Sequence, residues 1–302
     1  MAGRYGMTIL GVFLCGAVAA SSIAAESSPF RFRGVGKNYA FIESTRPSQK
    51  LVLSSASVLV KDQETGELLV QKQTETVLPI ASITKLMTAM VVLDAGLDLQ
   101  AVITIESVDM DTLKHSHSHL PVGTRLTRKD ALMLALMSSE NRAARALGRT
   151  YPGGMSKVVG AMNAKARALG LTETRFEDPA GLSSGNVSSA RDLALMADAA
   201  YRYQLVRAFT TREEATLHSG RRVLGFCNSN RLIRNHRWQI GLSKTGYIDE
   251  SGHCLVMQAQ LANRPLLIVL LDAQGKQARF SDANRIRQWI EGPVPARQNR
   301  RG

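Results

Sequence analysis

The chain has 302 residues, 44% apolar and 21% charged, with a formal net charge of +13. That is the composition of a globular protein, with enough chain to bury a sizeable core in one large domain or two ordinary ones. There is no internal repeat and no low-complexity domain, which sets aside solenoid and disordered classes.

The N-terminus reads as a processing segment. Arg4 precedes an apolar run from Ile9 to Ala20, too short and too abruptly ended for a membrane span, and Ser22-Ile23-Ala24 supplies small residues before a cut. A signal peptide over residues 1–25, cleaved after Ala24 or Ala25, is expected; a retained anchor is the alternative. Cys15 lies inside it, and Leu14 before it does not suit lipidation. Losing residues 1–24 removes one Arg and no acid, leaving 37 basic against 25 acidic residues, a mature charge of +12. Such a surplus suits nucleic acid, but export argues against that partner. Anionic envelope material, cell wall or lipid headgroups, fits better, as does a solubilising surface with no partner. Cys227 and Cys254 remain after export. An oxidising compartment permits a bridge, geometry decides it, and two half-buried thiols are the alternative.

Residues 26–50 read as a lead-in segment. Ser54 to Val60, a turn around Gly66 and Leu68-Leu69-Val70 form a hairpin signal. Pro79 is suited to a helix start, and Leu86, Met87, Met90, Val91 and Leu93 give the helix an apolar face, ending near Gly96. Residues 100–127 look irregular or short-stranded. Thr127 with Asp130 three residues on opens a second helix. Its apolar run through Met137 is interrupted at Ser138-Ser139-Glu140-Asn141 and resumes at Ala143; Pro152-Gly153-Gly154 ends it. Residues 155–169 are helical, 177–188 a loop and 191–208 helical again. Short β-favouring runs follow at 222–226, 240–245, 254–261 and 266–271, then a helix over 282–290 and a basic polar tail, 293–302. Strands at both ends around a helical middle predict an α+β fold: one antiparallel sheet made from both ends of the chain, flanked by helices, with a helical insertion.

Three groups of residues carry chemistry. Ser82 and Lys85, three apart, share one helix face; a serine hydroxyl needs a neighbouring base, and a lysine of lowered pKa can be that base. Alone, the pair is also what an ordinary helix start looks like. Ser139-Glu140-Asn141 interrupts a helical stretch, and Lys244-Thr245-Gly246 ends a predicted strand. Ser-x-x-Lys, Ser-x-Asn and Lys-Thr-Gly, in this order and context, are the motif set of the penicillin-recognising serine enzymes.

On these motifs, and on Leu78 to Thr88, Ala135 to Ala144, Asp178-Pro179-Ala180-Gly181-Leu182-Ser183, Gly241 to Tyr247 and Gly252 to Met257, the chain resembles the low-molecular-mass penicillin-binding proteins over nearly its whole mature length. These are serine D-Ala-D-Ala peptidases, and the resemblance is nearest to the penicillin-binding protein 7 type, a D,D-endopeptidase. It implies a β-lactamase/transpeptidase-like fold over residues 51–292. It implies that Ser82 attacks a D-Ala carbonyl, that Lys85 takes the proton, and that Ser139 relays one to the leaving amine. Asn141, Lys244, Thr245 and Gly246 would bind substrate, with Lys244 also keeping Lys85 neutral by repulsion and Gly246 letting the substrate lie against the strand edge. Backbone N–H groups of Ser82 and Tyr247 would form the oxyanion hole. No metal and no cofactor are needed. The implied partners are peptidoglycan stem peptides and cross-links, with β-lactams as covalent inhibitors and other wall enzymes as further candidates. No nucleic acid is expected, and at most peripheral membrane or wall association, in the periplasm.

The stretch at 178–183 lacks the usual Glu-x-x-Leu-Asn, so slow release of penicillin is expected. About fifty residues follow Gly246, a short form that favours the endopeptidase over carboxypeptidases carrying a further β-rich domain and a C-terminal anchor. The competing readings are a D,D-carboxypeptidase, a β-lactamase and an inactive wall-binding relative. One departure is His115-Ser116-His117-Ser118-His119: alternation on an extended segment points its histidines to one side, either as a Zn or Cu site or as a surface loop that charges as pH falls.

Overall fold

The structure, a computed structural model, describes residues 43–44, 51–220 and 222–292, which lie in one unit spanning Ala40–Gly302. The expected signal peptide, the tail 293–302 and all of the lead-in before residue 51 except Glu43–Ser44 fall outside the described residues. In chain order come β1 (Glu43–Ser44), β2 (Ser55–Asp62), β3 (Leu68–Lys72), β4 (Leu78–Pro79), a 3-10 turn at Ala81–Thr84 and α1 (Lys85–Asp94). Then follow β5 (Val102–Thr104), β6 (Arg125–Thr127), α2 (Arg128–Met137), α3 (Asn141–Arg149), α4 (Gly154–Ala168), β7 (Val187–Ser188), α5 (Ala190–Tyr201) and α6 (Gln204–Thr210). The chain closes with β8 (Glu214–Ser219), β9 (Arg222–Cys227), β10 (Gln239–Ile248), β11 (Gly252–Leu261), β12 (Arg264–Ala273) and α7 (Ala278–Glu291).

Six strands form one antiparallel sheet in the order β1-β3-β2-β12-β11-β10, so both ends of the fold meet in it. Strand β12 reads as an unbroken apolar run because both its faces are covered. Side chains alternate across a strand. Leu267, Val269 and Leu271 join the core with α1, α2 and α5, whereas Leu266, Ile268 and Leu270 pack with Phe280, Ile286 and Trp289 of α7. With β10 at one end of the sheet, its outer edge is free to lie beside the helical layer and the nucleophile turn.

Thr127 caps α2 as expected, accepting from the Asp130 N–H at 3.0 Å, an interaction type worth about 1 kcal/mol. Several expectations are corrected. Pro79 does not start the helix; it pairs with Val187 in the β4–β7 ladder, and α1 begins only after the 3-10 turn. The helix expected over 191–208 breaks at Arg202–Tyr203 into α5 and α6. β9 is not in the main sheet: it pairs with β8, and the alternation of buried Ala215 and Leu217 with exposed neighbours was the signal for that partner. Part of the lead-in, Glu43–Ser44, pairs with β3. Cys227 is exposed, Cys254 is buried, and both are free thiols, so neither the bridge nor a half-buried pair is formed. Among the described residues no helix is long and apolar enough to cross a membrane.

Candidate active site

The nucleophile sits on a tight and strained turn. Ala81 has φ +46°, a left-handed conformation that costs an alanine about 1 kcal/mol or more. Two glycines make room for it. A Cβ on Gly181 would lie 2.0 Å from the Ala81 carbonyl oxygen, and one on Gly246 would lie 2.8 Å from the Ile80 carbonyl oxygen and 3.3 Å from Ser82 N. Gly246 is therefore needed for β10 to approach the turn, a reason different from the expected open strand edge. The first N–H groups of a helical turn have no partner within it, so this close approach places the edge of β10 beside an anion-favouring end.

Lys85, 1% exposed, has three oxygen neighbours: Ser82 Oγ at 2.7 Å, Asn141 Oδ1 at 2.7 Å and the Ala180 carbonyl at 2.5 Å. Two of these only accept. A neutral amine has two N–H groups and one lone pair. As the ammonium, Lys85 donates to all three oxygens; in the neutral form the carbonyls of Asn141 and Ala180 keep both N–H groups, which leaves the lone pair for the Ser82 hydroxyl. Burial lowers the Lys85 pKa to about 7, against the opposing pull of Asp178, Glu140 and Asp111.

The second lysine stands apart from the first. Lys244 donates to Ser139 Oγ at 2.8 Å and to the Thr245 carbonyl at 3.0 Å. Ser139 reaches it from the break between α2 and α3, where it is held at φ +63°. Lys244 is pushed well down by burial, then by repulsion from Lys85 and Arg279. Burial is the first cause for both lysines, and the repulsion between them acts on each. Thr245 Oγ1 donates to Ser229 Oγ at 2.8 Å, at the foot of the β8–β9 hairpin. Tyr247 is 52% exposed, its ring stacked on His253 at 4.3 Å and its hydroxyl on Asp249. The structure brings together Ser82, Lys85 and Asn141 as one bonded group and Ser139 with Lys244 as another, with Gly246 against the turn that carries Ser82.

Other supports had no role assigned from the sequence, although Asp178 to Ser183 and Thr88 lie in stretches that carry the resemblance. Asp178 gathers the backbone N–H groups of Ala180, Gly181, Leu182 and Ser183 at 2.7–3.3 Å, folding the loop that presents the Ala180 carbonyl. Thr88 holds the Pro179 carbonyl at 2.7 Å. Buried Asn186 joins the loop to Thr84 Oγ1 at 3.0 Å. The Arg279 guanidinium, largely buried, donates to the Gly246 carbonyl at 2.7 Å and leaves its Nε without a partner. Burial lowers its pKa to about 10.

The histidine tract borders this site, but with its serines. His115, His117 and His119 are all exposed, and the rings of His117 and His119 lie 4.9 Å apart, but His115 is at φ +50°, so the tract is not evenly extended as expected. Ser116 and Ser118 turn inward, to Asn141 Nδ2 at 2.8 Å and to the Glu140 carboxylate. Among the described residues no group of three His, Cys, Asp or Glu side chains is arranged to hold a metal ion.

A family model described as D-alanyl-D-alanine carboxypeptidase matches residues 43–275. A D-alanyl-D-alanine endopeptidase of Pseudomonas aeruginosa is 49% identical over 81% of this chain and 80% of its own. One from Escherichia coli is 43% identical over 89% of this chain and 87% of its own. Among solved structures, the Streptomyces K15 DD-transpeptidase is similar with a TM-score of 0.73 and 27% identity, over 79% of this chain and 97% of that one.

Proposed function

Since the chain belongs to the D-alanyl-D-alanine carboxypeptidase family of serine peptidases, we propose that it is a serine D,D-endopeptidase that hydrolyses D-Ala–meso-diaminopimelate cross-links of peptidoglycan. The observation that carries the mechanism is the buried Lys85 amine, 2.7 Å from Ser82 Oγ and bonded to the carbonyl oxygens of Asn141 and Ala180. The high identity to two D-alanyl-D-alanine endopeptidases favours cross-link cleavage over terminal trimming.

The stem peptide lies along the outer edge of β10 as an added strand. Lys244 and Thr245 receive the carboxylate beyond the scissile bond, and Asn141 holds the substrate amide. Ser82 Oγ passes its proton to Lys85 and attacks the D-Ala carbonyl carbon. The carbonyl oxygen takes the electron pair and is met by the N–H groups of Ser82 and Tyr247. Collapse expels the diaminopimelate amine, which takes up the proton held by Lys85, relayed through the Ser139 hydroxyl, and Lys85 is neutral again for the hydrolytic step. Water then attacks the acyl-enzyme, restoring Ser82 and freeing the D-Ala carboxylate. Lys85 and Lys244 are coupled: each holds a proton more easily when the other is neutral. One neutral and one charged lysine is the division of labour this chemistry needs. β-Lactams acylate Ser82 by the same route.

The protein works in the periplasm after loss of its N-terminal segment, and its mature charge of +12 suits an anionic wall. Digestion of purified sacculi with wild type and Ser82→Ala tests the function. Loss of cross-linked dimers with wild type alone is expected. Loss of terminal D-Ala from uncross-linked stems instead would make it a carboxypeptidase, and no change with either enzyme would leave a wall-binding protein.

A further inference from the structure

The side-chain amide of Asn141 has an accepting end and a donating end, and base catalysis by Lys85 needs the accepting end. Asn141 Oδ1 takes an N–H of Lys85 at 2.7 Å, while Nδ2 donates to Ser116 Oγ at 2.8 Å. The Ser116 hydroxyl proton goes elsewhere, to Asp111 Oδ2 at 2.6 Å, and the Ser116 backbone N–H goes to the same oxygen at 3.0 Å. An ionised carboxylate only accepts. Against the desolvation of a part-buried acid, the N–H groups of Lys114, Ser116 and Leu113 and the Ser116 hydroxyl hold Asp111 below the ordinary carboxylate range. With its proton committed to Asp111, Ser116 Oγ offers Asn141 lone pairs alone, and only the NH2 end of the amide satisfies them.

We infer that Asp111 and Ser116 are positioning residues that fix which end of the Asn141 amide faces Lys85, and so keep the Lys85 lone pair on Ser82. If the amide turned over, an N–H would point at Lys85 Nζ and compete with Ser82 for that lone pair, while Oδ1 would face the lone pairs of Ser116. The loop is anchored for this task. Asp111 also accepts from the Leu113 and Lys114 N–H groups, both at 2.9 Å. Ser118 grips Glu140, the residue before Asn141, and Arg142, the residue after it, donates to the Leu120 carbonyl at 2.6 Å. The inference rests on Lys85 being the base for Ser82, as argued under Proposed function.

The test is the second-order rate of acylation by a fluorescent penicillin, followed across the pH range for wild type, Ser116→Ala, Ser116→Thr, Asp111→Asn and the Ser116→Ala/Asp111→Asn double variant. Lys85→Arg is the control, and each variant is first melted to confirm that it folds. Ser116→Ala is expected to lower the plateau rate about ten- to a hundredfold, the scale of a misplaced catalytic group. Its acid limb is expected to move to lower pH, because the ammonium loses an acceptor among groups (Asp178, Glu140, Asp111, Lys244) that are otherwise unchanged. Ser116→Thr, which keeps the hydroxyl, should restore the rate to within about threefold, a loss under 1 kcal/mol. Asp111→Asn can donate to Ser116 and free its hydroxyl to turn, so it should be slow as well, and the double variant no slower than Ser116→Ala. A wild-type rate and profile in Ser116→Ala, equal losses in the Ala and Thr variants, or losses that multiply in the double variant would each overturn the inference. Rapid acylation of Lys85→Arg would instead overturn the assignment of the base itself.

Discussion

The Ala180 carbonyl accepts a hydrogen bond from Lys85 at 2.5 Å, although the two residues are 95 apart in sequence. That contact makes the loop after residue 177 part of the base. It occupies one N–H of the amine, Asn141 occupies another, and the Ser82 hydroxyl is left at the third position. A loop carrying no catalytic side chain thereby orients a proton transfer, and Asp178 is what shapes the loop.

Asp178→Ala should therefore damage both stability and chemistry. Four backbone N–H groups lose their acceptor, which at net values near 1 kcal/mol per bond is about 4 kcal/mol. A thermal melt should show the loss, and the penicillin acylation rate of the folded fraction should fall with it. Unaltered acylation in a destabilised variant would mean that the Ala180 carbonyl does not orient Lys85.

The two glycines at the nucleophile turn should differ. Gly181→Ala forces a side chain at φ +78° into the Ala81 carbonyl and should prevent the native turn from forming. Gly246 has no such backbone constraint, and its Cβ would meet the Ile80 carbonyl at 2.8 Å. Gly246→Ala should keep its fold, displace β10 by a few tenths of an ångström and lower acylation about a hundredfold. Measuring the melt and the acylation rate side by side separates the two outcomes.

A penicilloyl-enzyme should persist. Rapid deacylation in a class A β-lactamase uses a glutamate in the loop before the third motif. Here Glu177 is exposed and bonded to Arg175 and Ser183, and both Asp178 oxygens are occupied by backbone N–H groups. Mass spectrometry after mixing with penicillin should find the adduct on Ser82 long after the free drug is removed. Return to the unmodified mass within seconds would mean that another group activates water.

Thiol titration should count one cysteine in the mature native protein and two after unfolding. Cys227 is exposed, whereas Cys254 is buried and its thiol is pushed up to about 11 by burial, which suppresses the reactive thiolate. Two fast thiols in the native state would contradict the packing of β11.

What the sequence disclosed follows physical rules. Lys85 three residues after Ser82 is visible because side chains at that spacing share one helical face. The β12 run was readable because both of its faces are buried, and Thr127 because a hydroxyl three residues before an acid marks a cap. Ala180 was hidden because a backbone carbonyl has no residue signature. Ser116 was hidden by its neighbours: the histidines drew attention, and its partner Asn141 lies 25 residues away. Arg279 lies before the helix expected over 282–290 and carried no signal until the fold set it against the Gly246 carbonyl. Gly246 was found by motif and expected to let the substrate lie against the strand edge; its crowding against Ile80 came only with the fold.

The central claim is that a neutral Lys85 takes the proton of Ser82. The pH dependence of Ser82 acylation by penicillin, measured for wild type and Lys85→Arg, tests it most directly. A base must be deprotonated, and burial holds Lys85 at about 7, so the wild-type rate should fall as pH drops below that value and level off above it. Arginine stays charged throughout, so Lys85→Arg should not acylate at any pH in the range. A wild-type rate with no inflection near neutrality, or acylation retained in Lys85→Arg, would contradict the account.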